Sequence, residues 1–197
     1  FLSDNLIRHP ESIGEILDPE AWAISKGPDR LYLELQYQLD QTDNFEQQLN
    51  VMRYFKHINE LQVGLRDLTF SSDIRELCYD LSHIADVFIR HALRLGTEII
   101  DAKYGPPLLV TGKRCGFCVV GLGKLGGHEL DFGSDFDLVF VYEDDGQTAG
   151  LQKSDGTTAR RVNNYIYFNK LIEVFTRIVS GIAAGGTAYK IDFRLRP

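Results

Sequence analysis

An acidic pair in the second half of the chain combines residue types and a spacing suited to binding a metal ion. The segment Ser134-Asp135-Phe136-Asp137-Leu138 is typical of the start of a strand, where side chains alternate between two faces, so Asp135 and Asp137 share one face. Two neighbouring carboxylates repel each other unless one is protonated or a cation lies between them. Hard oxygen ligands of this kind suit Mg²⁺, which also bridges to substrate phosphates. The pair therefore predicts a magnesium site, with an exposed acidic pair at a strand end as the alternative.

A third carboxylate lies near the end of the chain, in a segment of alternating polar and apolar residues over 188–196. Its polar face carries Asp192, Arg194 and Arg196, and its apolar face carries Ile191, Phe193 and Leu195. If this strand lies beside the first, its carboxylate and the acidic pair can hold two metal ions that neutralise charge on a phosphorus being displaced. The arginines would add positive charge near the phosphates, with ion pairs to the acidic residues after 143 as the alternative.

The glycine-rich segment before the acidic pair has the composition of a phosphate-binding loop. Backbone amides can approach a phosphate where side chains are missing, while Lys124 offers a positive charge and Ser134 a hydroxyl. The glycines are Gly121, Gly123, Gly126 and Gly127. The same segment matches the GxGxxG fingerprint of dinucleotide-binding folds, but a parallel crossover needs at least about 10 to 12 residues, mostly helical. Only eight residues separate Gly126 from Asp135, and three of them are glycine or serine, so the phosphate-binding interpretation is favoured.

Helical periodicity fills the first half of the chain. Apolar residues recur at helical spacing over residues 29–68 with a break near residues 42–44, which predicts two helices. Asp73 is a candidate N-cap with Glu76 three residues later, and the following pattern predicts a third helix as far as Gly96. The helix-breaking segment at residues 104–107 then marks a boundary. We expect an all-α domain over residues 1–104 and a second domain over residues 105–197.

The second half changes to the shorter pattern of strands. Residues 116–121 and 136–143 are predicted strands joined by a short helix within residues 125–130, and a third strand is predicted over residues 188–195. Residues 144–161 have the composition of a mobile lid or a disordered loop. A helix over residues 163–182 has an apolar face for the sheet. The predicted fold class is α+β: an all-α part, then a small mixed β-sheet with flanking helices.

The overall composition excludes several classes of protein. The net charge of −7 and the isoelectric point near 5.2 disfavour broad binding to nucleic acid, which needs clustered lysine and arginine. Apolar stretches fall short of the roughly 18 residues that indicate a membrane span. Three cysteines are too few for a disulfide framework, so we expect a cytoplasmic protein. Because neither Phe1 nor Pro197 belongs to a targeting signal, we expect a piece of a longer protein.

Three blocks of the sequence together resemble one enzyme family. The blocks are residues 121–130 (Gly-Leu-Gly-Lys-Leu-Gly-Gly-His-Glu-Leu), residues 134–138 and residues 192–197 (Asp-Phe-Arg-Leu-Arg-Pro). Their combination resembles the bacterial glutamine synthetase adenylyltransferases, members of the DNA polymerase beta nucleotidyltransferase superfamily. The resemblance implies a nucleotidyltransferase palm in the second half, preceded by a helical part as in that family.

The resemblance also implies a chemistry and its partners. The family's enzyme carries two such domains: one transfers AMP from ATP to a tyrosine of glutamine synthetase, and the other removes it by phosphorolysis, which consumes phosphate and releases ADP. Asp135, Asp137 and Asp192 would be the metal-binding catalytic residues, with Mg²⁺ as the usual ion. Phe193 is similar to the bulky apolar residue of the AMP-removing domain, so removal is favoured over addition. Either direction implies a regulator of nitrogen metabolism.

Two other hypotheses stay open. The chain could be a partner-binding regulatory fragment without activity in isolation, whose helical half docks glutamine synthetase or a nitrogen-signalling protein. It could also be a nucleotidyltransferase that modifies another class of substrate, such as a small molecule.

Overall fold

Helices fill the first half of the chain in a computed structural model that describes residues 6–7, 10–152, 158–181 and 188–192. Two short 3₁₀ turns flank helix α1, and three longer helices follow. The helices are α1 (Ile13–Ile16), α2 (Pro28–Asp40), α3 (Phe45–Phe70) and α4 (Ile74–Tyr104). None of the described helices is both long enough and apolar enough to cross a membrane.

The break between α2 and α3 lies where the sequence predicts it. Pro28 starts α2, where its missing N–H would have no helical partner anyway. Asn44 caps α3, because its side chain accepts a hydrogen bond from the N–H of Gln47 (3.0 Å). The helix ends at Phe70, and its C-cap Ser71 has a left-handed φ of 52°. The prediction of two helices is confirmed.

Helix α4 extends beyond its predicted end. Asp73 is its N-cap, as expected, and accepts a hydrogen bond from the N–H of Arg75 (2.8 Å). The predicted stop at Gly96 is wrong, since the helix continues to Tyr104. A Cβ at Gly96 would lie 3.0 Å from Cδ1 of Leu171, so the glycine allows another helix to pack closely rather than ending this one.

A three-stranded mixed sheet lies in the second half of the described chain. Its order is β2 (Phe117–Gly121), β3 (Phe136–Tyr142) and β7 (Ile191–Asp192), with β2 antiparallel and β7 parallel to β3. This confirms the α+β class, and the antiparallel β2–β3 pair rules out the parallel crossover of a dinucleotide-binding fold. The connecting helix α5 (Gly123–Gly126) is one turn that starts and ends earlier than predicted, and His128 follows it with a φ of 55°.

The predicted loop over residues 144–161 contains strands. Strand β4 (Gly146–Thr148) pairs antiparallel with β1 (Pro107–Leu109), and β5 (Leu151–Gln152) pairs antiparallel with β6 (Thr158–Ala159). The backbone of β1 approaches Gly146 so closely that no Cβ would fit there. The alternative of a disordered loop is therefore wrong for the described part of this segment, whereas the alternative of a mobile lid stays a prediction.

Helix α6 (Asn164–Ser180) joins the two halves of the chain through a shared core. Its N-cap Asn163 accepts a hydrogen bond from the N–H of Ile166 (2.9 Å). One cluster of buried side chains contains Leu95 of α4, Phe136 of β3 and Phe175 of α6. The hydrophobic core thus crosses the boundary near residue 104, and the division into two domains stays a prediction.

The segment that leads into β7 differs from its prediction. Within the described residues, the expected strand over 188–195 is a strand only at Ile191–Asp192. The N–H of Tyr189 donates to the carbonyl of Val179 (3.0 Å), so this part of the chain is bonded to the end of α6 before it reaches the sheet. Residues 193–195 lie outside the described residues.

Candidate active site

Asp137 and Asp192 lie directly opposite each other in the sheet. The register of the parallel pair places Asp137 beside Asp192 and Phe136 beside Ile191. Paired residues of neighbouring strands point to the same face. Phe136 is fully buried, so the two aspartates, both half-buried, point to the opposite face. The fold thus brings two carboxylates that are far apart in sequence to one face of the sheet.

Asp135, the third candidate carboxylate, lies two residues before Asp137. It comes just before β3 and is exposed, while the flanking order of buried Phe136, half-buried Asp137 and buried Leu138 follows the predicted alternation. The N–H of Phe136 donates to the carbonyl of Lys190 (2.8 Å), which fixes this end of β3 beside the approach to β7. Asp135 also lines a cleft together with Lys56 and Glu60 of α3.

The glycine loop packs against Asp137. The N–H of Leu122 donates to the carbonyl of Asp137 (2.8 Å), and Gly123 has a φ of 55°. A Cβ at Gly123 would lie 2.6 Å from Oδ2 of Asp137, so any side chain at this position would have to displace the carboxylate. A Cβ at Gly126 would lie 2.5 Å from the carbonyl oxygen of Gly121, which is why the turn of α5 is also glycine-rich.

Lys124 and Ser134, two predicted phosphate-binding residues, meet at Asp131. Lys124 Nζ donates to Asp131 Oδ2 (2.9 Å), the Ser134 hydroxyl donates to Oδ1, and the N–H of Asp131 donates back to Ser134 Oγ (3.1 Å). The Ser134 hydrogen bond, followed by that of Lys124, lowers the pKa of Asp131, and the bond to Asp131 raises the pKa of Lys124. Both groups are exposed, and an exposed pair of this kind is readily exchanged for another anion.

Helix α4 anchors the far side of the glycine loop. The N–H of Leu130 donates to Ser82 Oγ (3.4 Å), and His128 Nε2 lies 3.7 Å from Asp86 Oδ2. Burial raises the pKa of Asp86 and lowers the pKa of His83, whose ring lies 6.0 Å from that of His128. The helical half therefore positions the loop through direct contacts.

Residues that the sequence did not single out line the cleft at Asp135. Lys56 and Glu60 of α3 form an ion pair (2.8 Å) there, and Tyr189 and Lys190 contribute from the segment before β7. The signal available in the sequence was a lysine and a glutamate four residues apart in a predicted helix. Such a pair is ordinarily assigned to a solvated face.

The donor set fits Mg²⁺ through two carboxylates. Within residues 6–7, 10–152, 158–181 and 188–192, no group of three or more His, Cys, Asp or Glu side chains is arranged to hold a metal ion. Mg²⁺ is usually held by one or two carboxylates together with waters and substrate phosphates, rather than by a complete protein cage. Asp137 and Asp192 meet that requirement, with Asp135 two residues away. Arg194 and Arg196 lie outside the described residues, and Gly127 lies at the end of the glycine loop.

Comparisons with known proteins give a consistent family. Residues 1–197 match the family model described as glutamate-ammonia ligase adenylyltransferase. A relative from Thioalkalivibrio sulfidiphilus is 32% identical over 202 residues, covering 100% of this chain and 20% of the relative. One from Burkholderia mallei is 38% identical over 135 residues, covering 68% of this chain and 14% of the relative. Both are named bifunctional glutamine synthetase adenylyltransferase/adenylyl-removing enzyme, and the chain spans about a fifth or less of their length.

Proposed function

Because this chain belongs to the glutamate-ammonia ligase adenylyltransferase family, we propose that its acidic site performs metal-dependent nucleotidyl transfer on glutamine synthetase. The reaction that we favour is removal of AMP from the adenylylated tyrosine by phosphorolysis, which releases ADP. The alternative is addition of AMP from ATP, which releases pyrophosphate. The partners of the site are glutamine synthetase, Mg²⁺ and either ADP and phosphate or ATP.

One observation carries this proposal: Asp137 and Asp192 are paired in register on the sheet face that the glycine loop covers. Carboxylates alone are common at strand ends. A second carboxylate from a distant segment and a glycine in contact with the first are what a site for a metal and a phosphate requires.

The chain's own residues have distinct roles in this proposal. Asp137 and Asp192 supply oxygen ligands from the sheet, and Asp135 supplies a third from the segment before β3. A bound Mg²⁺ would neutralise charge on the phosphorus that is displaced. Gly123 lets the backbone of the loop approach the phosphate, and Lys124 can exchange its contact with Asp131 for one with a phosphate oxygen. Arg194 and Arg196 are proposed as further phosphate ligands.

The direction of the reaction rests on a resemblance. Phe193, between Asp192 and Arg194, is similar to the bulky apolar residue of the AMP-removing domain. In that direction, phosphate attacks the phosphorus of the adenylyl group, the bond to the tyrosine oxygen breaks, and the adenylyl group leaves as ADP. The two reactions release different products, which makes the choice directly measurable.

The test is a pair of incubations of this chain with Mg²⁺. Adenylylated glutamine synthetase and phosphate should yield ADP, whereas unmodified glutamine synthetase and ATP should yield pyrophosphate only if the site adds AMP. Asp137→Ala should abolish either product while the circular dichroism spectrum stays that of the unaltered chain. Full turnover by Asp137→Ala would contradict the assignment of the site. Binding of glutamine synthetase without either product would instead support a regulatory, partner-binding role.

A further inference from the structure

The cleft beside Asp135 is a second polar site next to the acidic pair. It has a volume of about 190 Å³, far more than the roughly 15 Å³ that a single water needs. One wall is helix α3, which supplies Lys56 and Glu60, and the opposite wall is the segment that carries Tyr189 and Lys190. The cleft therefore lies between the helical half and the sheet, with Asp135 at its edge.

A fixed cation lies in this cleft. The side chain of Lys56 is only 13% exposed, and its Nζ is 2.8 Å from Oε2 of Glu60, which is 5% exposed. Burial raises the pKa of Glu60, and the neighbouring ammonium of Lys56 opposes that shift. Nζ also lies 4.9 Å from the centre of the Tyr189 ring. A carboxylate and an aromatic ring thus hold the ammonium group in place, and the exposed Lys190 adds a second positive charge.

A covered donor without an acceptor belongs to Tyr189, a residue in the wall of the same cleft. Tyr189 is 8% exposed, and its hydroxyl has no hydrogen-bond partner among the described residues. Its ring is fixed by stacking on Phe136 (4.2 Å between centres) and by an edge contact with Phe88 (5.3 Å). Burial, followed by the charges of Glu60 and Asp86, raises the pKa of Tyr189 well above its usual value, so the hydroxyl keeps its proton and can donate it. Buried donors without partners are uncommon in native proteins. The oxygen of this hydroxyl has almost no exposed surface, so a ligand that enters the cleft must uncover it before it can accept the hydrogen bond.

We propose that the cleft between Lys56 and Tyr189 binds a phosphoryl group of the substrate or product, adjacent to the catalytic carboxylates. A phosphoryl group offers only acceptor oxygens and negative charge, which match a lysine ammonium and a tyrosine hydroxyl. The inference rests on the proposed function, because it takes Asp135 and Asp137 as the reacting end of the site.

The position of the cleft fits an elongated phosphate-containing ligand. The glycine loop contacts Asp137, whereas the cleft opens at Asp135, about 7 Å away along the strand direction. The acidic pair is thus flanked by a phosphate-binding element on each side. If the reacting phosphorus of a nucleotide lies near Asp137, the cleft is in position for one of two groups. It can hold the terminal phosphates of the same nucleotide, or it can hold a separate phosphate ion.

The test is calorimetric titration of this chain with Mg²⁺-pyrophosphate and, separately, with Mg²⁺-ATP. Lys56→Met should weaken pyrophosphate binding about tenfold or more, because a hydrogen bond to a charged group is lost. Tyr189→Phe should weaken it about two- to tenfold, as expected for a neutral donor, while the aromatic packing is kept. An equal loss for ATP would mean that the cleft takes the terminal phosphates of the nucleotide. A loss for pyrophosphate alone would mean that it takes the free anion.

Two further variants keep the result interpretable. Lys56→Met leaves Glu60 buried without its partner, so the double variant Lys56→Met/Glu60→Gln removes both charges together and should show the same weakening. Lys113→Met is the matched control, because Lys113 is exposed in the turn before β2, near the end of β3 opposite to Asp135. The Lys113→Met variant should bind pyrophosphate and ATP with the same affinity as the unaltered chain.

The two proposals fail in different ways. Suppose that the Lys56 and Tyr189 variants bind both ligands as tightly as the unaltered chain, while Asp137→Ala no longer binds ATP. The cleft proposal is then overturned and the proposed function stands. If the unaltered chain binds neither ligand, both proposals are overturned.

Discussion

The carboxylate of Asp137 and the Cα of Gly123 approach each other so closely that a methyl group on Gly123 would lie 2.6 Å from Oδ2. Gly123 also has a φ of 55°, which side chains rarely adopt. The residue is therefore constrained twice, by its backbone conformation and by the carboxylate that it faces. This contact links the proposed phosphate-binding loop to the proposed metal ligand.

We expect Gly123→Ala to impair the site more than the fold. The left-handed conformation should cost about 1–2 kcal/mol of the free energy of unfolding. The methyl group must also displace the Asp137 carboxylate, and a misplacement of about 1 Å in an active site can lower turnover about a hundredfold. The measurements are kcat/KM for AMP removal and the denaturant midpoint.

Gly112→Ala is the control for the backbone effect. Gly112 has a φ of 81°, with nothing within 4 Å of the position that a Cβ would take. It should show a similar loss of stability with unchanged kcat/KM. Equal turnover in the two variants would mean that the contact between Gly123 and Asp137 has no part in the reaction.

The core that crosses residue 104 should make the chain unfold as one unit. Phe88 of α4 is fully buried and packs on Tyr189, just before β7. Phe88→Ala should lower the free energy of unfolding by about 3–5 kcal/mol, as is usual for a large buried aromatic residue. Unfolding followed by Trp22 fluorescence, which reports the helical half, should coincide with unfolding followed by far-ultraviolet circular dichroism.

An exposed position on a helix provides the comparison. Leu33 of α2 is 66% exposed, so Leu33→Ala should change the free energy of unfolding by less than about 0.5 kcal/mol. Two separated transitions in the unaltered chain, with Phe88→Ala shifting only one of them, would instead support two independent domains divided near residue 104.

Strand alternation predicted which of these residues share a face, but it left the adjacency of Asp137 and Asp192 conditional on their strands being neighbours, which the register of β3 and β7 shows. The sequence did not predict that α4 passes Gly96, because the role of that glycine depends on Leu171, which is distant in sequence. Strand β4 was missed for a similar reason. A three-residue strand has no periodicity of its own, and its pairing with β1 determines its conformation.

The Lys56 cleft shows the same limit at the site. Lys56 and Glu60 alone suggest a surface ion pair on a helix. In the fold the pair is largely buried, and the ring of Tyr189, which is distant in sequence, lies 4.9 Å from the Lys56 ammonium. Local sequence patterns therefore indicated the candidate ligands that the sheet itself presents, and not the proposed ones that tertiary packing brings from the helical half.

His91 should make the stability of the chain depend on pH. It is fully buried in α4, with its ring stacked on Tyr32 (4.4 Å) and Nε2 3.3 Å from the carbonyl oxygen of Tyr32. Burial lowers its pKa from 6.5 to about 4. Between these two values the unfolded chain binds a proton that the folded chain does not. Stability should therefore fall as the pH is lowered from 6.5 towards 4, with a slope from this residue of up to about 1.4 kcal/mol per pH unit.

His91→Gln removes this titration and keeps a group that can donate a hydrogen bond to Tyr32. Free energies of unfolding should be measured by urea denaturation at several pH values between 4 and 7.5 for both chains. The variant's advantage should grow as the pH falls below 6.5 and level off near 4, because the folded His91 then also becomes protonated. Carboxylates whose pKa is raised by burial, such as Glu60 and Asp86, titrate equally in both chains and cancel in the difference. A difference that does not change with pH would mean that the folded His91 titrates as it does in the unfolded chain, so that burial does not keep it neutral.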